Sequence, residues 1–417
     1  MSQFMSKNLT RNILIAMVLG AFVGLGLTAL DIAAVNAFMI DGVFKVGGDI
    51  FIRSLKMLVV PLVFFSLIEG VTSLSDLSQL GRVGGKTLSL YMITTAIAIS
   101  LALVLAIIIG PGLGIEMVAE TTFESEQAPS LADVIINMFP ANPIQAMSEG
   151  NMLQVIVFAI LVGLGINLGG KETQGLVEFV GSINVVIMNI LGLLMLIAPV
   201  GVFCLVAKIF ATLGFSAILP LIKYFLVVFG ALLVHIFVSY GSLLKVLTGL
   251  PLLKFYQKVK EIWLYAFSTA SSNATIPVTL NIVENKLGVQ NKVSSFTVPL
   301  GATINMDGTA IMQGVATVFI SQAYSVPMTV TDYLTVIATA TLASVGTAGV
   351  PGVGLITLAM VLNQVGLPVE GIGLIIGIDR LLDMLRTAVN VTGDALVSCV
   401  VGKSENAFDR EIFDRTS

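Results

Sequence analysis

Five polar positions recur in one otherwise largely apolar stretch, Ile375 to Ala395, at the spacing of a helix face. Asp379, Asp383, Arg386 with Thr387, Asn390 and Asp394 follow one another at steps of three or four, so on a helix they form one stripe. A charged side chain at the centre of a membrane helix costs roughly 2.5–3.5 kcal/mol on insertion scales. This stretch carries five such side chains, Arg380 included. The stripe therefore has to face a protein interior or a wet cavity with partners, and it reads as the wall of a binding site for a charged solute. The planar fork of Arg386 suits bidentate pairing with a carboxylate. Asp383, one turn earlier, can receive an ammonium group. Together they suit a zwitterion with one extra carboxylate, an acidic amino acid. The same guanidinium could form an internal ion pair with Asp383 or Asp379, and the two roles coexist if it exchanges partners on binding.

A second cluster, NMDGT at 305–309, interrupts an apolar helix with Asn305, Asp307, Gly308 and Thr309. A buried carboxylate without a cation is costly. Unwinding here is expected to free carbonyls at Gly301 and Asn305, hard oxygen donors for a small alkali ion, with Asp307 and Asp394 supplying negative charge. A third cluster, STASSNATIP at 268–277, lies between two short apolar pieces. It starts a half-helix whose N-terminal amides attract an anion, although Ser and Thr also cap helices with no ligand present. Tyr91, Thr94 and Thr95 place oxygens on adjoining turns, a pattern that taken alone suits helix packing better than a site. His235, alone in an apolar run, suits a satisfied interior histidine better than a proton relay. Cys204 and Cys399 suit packing rather than a disulfide or metal.

The elements that must position these groups are membrane helices. The chain of 417 residues is 56% hydrophobic and 11% charged, with mean hydropathy +0.99, whereas soluble domains carry about 25% charged residues. At about 20 residues per crossing the apolar runs allow on the order of eight spans. An apolar run at 13–30 behind Lys7 and Arg11 reads as a first spanning helix rather than a cleaved signal. Further helices are expected at about 44–70, 87–110, 152–168, 176–212 and 215–249. The N-terminus, loop 73–86 and the tail carry Lys and Arg, whereas loop 113–133 is acidic and has neither, which places both termini in the cytoplasm and requires an even number of crossings. No Lys/Arg run points to nucleic acid.

From 251 the pattern changes. Two short apolar pieces flank the tip at 268–277, a helix at 293–321 is broken at NMDGT, two more short pieces flank SVGTAGVPGVG at 344–354, and the charged stripe follows. Two re-entrant hairpins, each followed by a helix with a polar interruption, give inverted repeats meeting at mid-membrane, the layout of secondary transporters.

The order and spacing of ASSNATIP, GATINMDGT, SVGTAGVPG and LDMLRTAVNVTGD, with GDIFIRSLKMLVVPLVFFSL earlier, resemble the dicarboxylate/amino acid:cation symporter family, which includes aspartate and glutamate transporters. The resemblance implies an all-α integral membrane protein with eight transmembrane helices and two re-entrant helical hairpins, assembled as a homotrimer in the lipid bilayer. It implies a scaffold at 1–86 and 113–212, an elevator-type transport domain at 87–112 and 213–402, gated by the second hairpin, and a cytoplasmic tail at 403–417. Substrate positions by this resemblance are Ser271, Ser272, Thr309, Val350, Gly354, Asp383, Arg386, Thr387 and Asn390. Sodium positions are Gly301, Asn305, Asn390 and Asp394; Thr303, Ser344, Val345 and Thr347; and Tyr91, Thr94, Thr95, Asn305 and Asp307. Neutral amino acid transporters of the family lack an arginine at the position of Arg386, and proton-coupled relatives tend to carry Asn at that of Asp394. The chain departs from the family in having Ala270 and Met384 where members usually carry a second arginine. Arg380 is a candidate substitute.

The expected function is sodium-coupled import of L-aspartate and/or L-glutamate across a plasma (inner) membrane, with Na+ as co-transported ion and no organic cofactor. A C4-dicarboxylate or proton-coupled symporter of the same fold is the alternative, and an anion channel the alternative of another class. An enzyme is not expected, because no Ser/His or metal-ligand pairing accompanies His235.

Overall fold

The computed structural model describes residues 2–415 apart from 31, 73–79, 116, 118–135, 137–138, 214–217, 345–346, 348 and 350. Most of the acidic loop, the turn near Gly214, and Val345 and Val350 in the second tip thus lie outside the described residues. The described chain is helical, with one isolated bridge, Val289 to Phe408, as its only β pairing.

Helix α1 runs Ser2–Leu30 and α2 Lys45–Thr72. Helix α3, Gly85–Ile109, stops at Gly110 ahead of Pro111. Helices α4, Met152–Gly169, and α5, Gln174–Leu213, follow. Helix α6, Ile218–Val234, continues through a wide π turn, His235–Tyr240, into Gly241–Thr248. Among the described residues four stretches are long and apolar enough to cross a bilayer: Arg11–Leu30, Arg82–Ile109, Gln154–Leu194 and Leu219–Thr248. Large apolar side chains such as Phe22, Ile108 and Leu168 stand fully outward on these helices. That is costly in water and natural in lipid.

The second half is built from shorter pieces. Helices α7, Leu252–Thr269, and α8, Ser272–Asn285, fold back on each other. The first is longer than the short apolar piece before the tip suggested, because it begins with turns that carry Lys254, Lys258, Lys260 and Glu261, which hydropathy alone discounts; Lys260 and Glu261 face outward, whereas Lys258 is buried and its ammonium donates to the Lys286 and Arg415 carbonyls at 2.9 and 3.1 Å. Ala270, between them, is left-handed at φ 49°, a conformation costing a residue with a Cβ about 1–2 kcal/mol. Helices α9, Asn291–Ile304, and α10, Asp307–Ala323, are one helix broken at the NMDGT cluster. Helices α11, Val330–Ser344, and α12, Val353–Gln364, form the second folded-back pair. Helix α13, Ile372–Ser404, carries the charged stripe, and a short α14, Arg410–Asp414, ends the chain.

Position in the core explains the roles of these pieces. Every residue of α10 from Asp307 to Ser321 is buried, and α10 packs between α3 and α13. Polar side chains fasten the short helices to this centre. Trp263 Nε1 donates to Thr392 Oγ1 at 2.7 Å, Thr297 and Ser398 hydroxyls lie 2.7 Å apart, and Gln313 Nε2 donates to Thr357 Oγ1 at 2.7 Å. Buried in this way, non-helical backbone at the breaks avoids contact with lipid.

Candidate functional site

The middle of α13, the α9–α10 break and the two tips converge. Arg386 is fully buried (0% exposed). Its Nη1 donates to Asp379 Oδ1 at 2.5 Å, and its Nη2 to Asp383 Oδ1 at 2.9 Å and Asp379 Oδ2 at 3.5 Å. Its Nε has no acceptor among the described residues. Both internal partners foreseen for it are thus engaged at once. Asp383 Oδ2 accepts from the Gly352 N–H of the second tip at 3.2 Å and from Arg380 Nη1 at 3.5 Å. A Cβ on Gly354 would lie 3.2 Å from Arg386 Nη2 and 3.3 Å from Thr309 Cγ2, so glycine lets the first turn of α12 approach the guanidinium. Thr387 Oγ1 donates to the Asp383 carbonyl at 2.8 Å, bracing the helix where the charges sit.

The tips close on one another. Ser271 caps α8 by accepting from Ala274 N, and its hydroxyl donates to the Gly349 carbonyl at 2.6 Å. The Asn273 N–H donates to the same carbonyl at 3.2 Å. Ser272, the first residue of α8, is buried beside this joint.

The second half of the site is a set of oxygens around the break. Asn305 Nδ2 donates to the Asn390 carbonyl at 2.7 Å and to Asp394 Oδ1 at 2.9 Å. Asn305 Oδ1 has no donor among the described residues. Asn390 Oδ1 accepts from Gly308 N at 2.8 Å, and its Nδ2 donates to Met306 Sδ at 3.3 Å. A side chain on Gly301 would collide with Asp394 Oδ1 and Tyr91 Oη, so these oxygens crowd one backbone position. The carbonyl of Gly301 is not released as its sequence position suggested, since Asn305 N donates to it at 2.8 Å. The helix keeps that bond, and the break lies between Ile304 and Asp307.

Asp307 is fully buried, with two hydroxyl donors and an imidazole nitrogen against its carboxylate. Thr95 Oγ1 donates at 2.5 Å, Tyr240 Oη at 2.7 Å, and His235 Nε2 lies 3.1 Å away. Tyr91 Oη donates to the Thr297 carbonyl at 2.9 Å, and Thr94 Oγ1 to the Tyr91 carbonyl at 3.1 Å. The Tyr91–Thr95 turn therefore meets the α9–α10 break rather than merely packing helices. Of the third oxygen set, Thr303 Oγ1 donates to the Leu300 carbonyl, Ser344 Oγ to that of Thr341 and Thr347 Oγ1 to that of Ala343, each along its own helix or turn. Sequence reasoning missed Tyr240. It also assigned His235 no particular partner, and the π turn carrying both leaves no periodic signal.

The described residues are helical, turn large apolar side chains outward and bury an arginine–aspartate cluster beside crowded hard oxygens at a helix break, an arrangement that suits a transport protein of membranes, and the family and relatives are transporters, not enzymes. The chain belongs to the sodium:dicarboxylate symporter family, whose model matches residues 9–404. It is 36% identical to the proton/glutamate-aspartate symporter of Escherichia coli over 416 residues, 97% of this chain and 94% of that one. It is also 36% identical to the proton/sodium-glutamate symport protein of Bacillus caldotenax over 374 residues, 87% of this chain and 88% of the relative. Against the C4-dicarboxylate transport protein of Bacillus subtilis it is 31% identical over 411 residues, 97% and 95% of the two chains.

Proposed function

We propose that this chain is a sodium-coupled symporter that imports L-aspartate and/or L-glutamate across the plasma membrane. The observation that carries this reading is Arg386, fully buried and shared between Asp379 and Asp383. An incoming carboxylate can take over a guanidinium that is already desolvated, and an ammonium can take over Asp383. Next to it, Asn305, Asp307, Asn390 and Asp394 offer hard oxygens suited to dehydrated sodium, with Tyr91, Thr94, Thr95 and the second lone pair of the Gly301 carbonyl, the first being taken by Asn305 N, around them. Thr303, Ser344, Val345 and Thr347 form the remaining ion set, while Ser271, Ser272, Thr309, Val350, Gly354 and Thr387 complete the substrate set.

On this reading eight helices span the membrane and the two folded-back pairs are re-entrant, with both termini cytoplasmic. Helices α1, α2, α4 and α5 form the scaffold of a homotrimer. The others move as an elevator once sodium and substrate have neutralised the centre and the second tip has closed. The test is uptake of labelled L-aspartate into proteoliposomes with and without an inward sodium gradient. Accumulation only with the gradient is expected, and equal uptake in its absence would remove sodium from the mechanism. A proton-coupled variant is the second reading, favoured by the coupling ions in the relatives' names; a proton gradient that drives accumulation without sodium selects it.

A further inference from the structure

Helix α6 places one polar group in the interior that no neighbour satisfies. Tyr224 is fully buried, and its hydroxyl has no hydrogen-bond partner among the described residues. A buried hydroxyl left unpaired is disfavoured, and native interiors hold few of them. Its ring packs against Phe319 of α10, with centroids 5.1 Å apart and planes tilted by 55°.

The neighbouring helix decides what this hydroxyl can reach. Leu221 and Phe225 of α6 line one apolar groove together with Leu374, Ile378 and Leu381 of α13. Tyr224 lies between the first two in sequence and Asp379 follows Ile378, so the phenol and this carboxylate, both buried, stand at the same level of the two helices. Asp379 and Arg386 are the charges whose field reaches the hydroxyl, Asp379 the more strongly.

A bound solute changes what Asp379 receives. The open donor of Arg386 is Nε, and the edge it shares with Nη2 is the one a carboxylate can take with two hydrogen bonds. Nη2 already serves Asp383 Oδ1 at 2.9 Å and Asp379 Oδ2 at 3.5 Å. It has only two hydrogens, so a third acceptor displaces one of these contacts, and the longer one, to Asp379 Oδ2, is the weaker. Asp379 keeps Nη1 on Oδ1 at 2.5 Å, and its Oδ2 is left to the unpaired phenol.

We propose, on the reading of Arg386 as the group that binds the solute's carboxylate, that Tyr224 is a positioning residue of this site: its hydroxyl donates to Asp379 Oδ2 when the carboxylate occupies the Nε–Nη2 edge of Arg386. Asp379 then stays in place behind Arg386 while the guanidinium changes partners. A phenol hydrogen bond to a carboxylate is charge-assisted, and this one forms in the bound state and not in the empty one.

The experiment compares full-length wild type and Tyr224→Phe by calorimetric titration with L-aspartate at saturating sodium and by thermal unfolding without substrate. The substitution removes the oxygen and keeps the ring against Phe319. L-Aspartate is expected to bind about tenfold more weakly, while the substrate-free protein unfolds at the same or a higher temperature. In an Asp379→Asn background, Tyr224→Phe is expected to weaken binding by less than about threefold, because the charged acceptor is gone. Infrared difference spectra of the wild type are expected to show a shifted phenol C–O band when L-aspartate is added, and Tyr224→Phe lacks that shift. Unchanged affinity in Tyr224→Phe, a lower unfolding temperature without substrate, the full loss in the Asp379→Asn background, or no band shift in the wild type overturns the proposal. Wild-type protein that does not bind L-aspartate, or Arg386→Gln that binds it as the wild type does, sinks the reading of Arg386 beneath it instead.

Discussion

Replacing Arg386 by Gln tests the centre of the site, because it removes charge while keeping most of the side-chain volume. Arg386 spans Asp379 at 2.5 Å and Asp383 at 2.9 Å with no exposure to solvent. Truncating one partner of a buried, hydrogen-bonded charge pair costs about 2–5 kcal/mol in binding, or roughly thirtyfold to several thousandfold in affinity. L-Aspartate is expected to weaken by that factor and L-serine, which has no second carboxylate, by far less. The same substitution strands two buried carboxylates, which destabilises the fold by about 3–5 kcal/mol. The two effects separate in Arg386→Gln combined with Asp379→Asn. The second change relieves one stranded charge, so thermal stability recovers in part while affinity for L-aspartate stays low. Calorimetric titration with L-aspartate and L-serine at saturating sodium, beside thermal unfolding of each variant, measures both. L-Aspartate affinity within threefold of wild type in the single variant would refute the assignment of Arg386 to the substrate. Recovery of affinity in parallel with stability would show that its role is only structural.

Two further outcomes follow from the oxygens around the helix break and from the C-terminal end of α13. Asp394→Asn keeps the shape beside Asn305 and removes the charge, so the sodium concentration needed for half-maximal L-aspartate binding is expected to rise at least roughly tenfold; an unchanged sodium midpoint would take Asp394 out of the ion site. Glu405 joins the end of α13 to the entry of α3, accepting from Lys86 at 2.6 Å and Arg82 Nε at 2.8 Å. The hydrogen bond from Lys86, then that from Arg82, holds its carboxyl below the usual carboxylate range. A pKa depressed in the folded state gives a contact that is fully present above the ordinary carboxylate pKa and is lost as pH falls through the depressed one. Amide exchange at 80–86 is therefore expected to speed up in acid, and in Glu405→Gln already at neutral pH, by up to roughly fivefold for an ion pair at the surface. Identical exchange in variant and wild type would dismiss the tie.

Much of the architecture was legible because lipid makes strict demands. A charged stripe in an apolar run has few places to go, so Asp379, Asp383, Arg386 and Asp394 pointed to a shared interior before any contact was known. The break at NMDGT and the polar tip at 268–277 were visible for the same reason: polar backbone inside a membrane has to be enclosed. The membrane class follows from these constraints, whereas the family follows from the resemblance of the motifs themselves.

Pairings across the interior were not legible in the same way. Nothing local to His235 or Tyr240 announces Asp307 as their partner, because they reach it from a different helix and through a turn of irregular period. The carbonyl of Gly301 looked available from its position and is bonded by Asn305 N, a detail that depends on where the helix lets go. That Arg386 holds Asp379 and Asp383 together, with Arg380 on the far oxygen, depended on rotamers that spacing leaves open. Sequence alone determined which groups must leave the lipid; the fold decided which of them meet, because a desolvated charge is satisfied only by distances that tertiary packing sets.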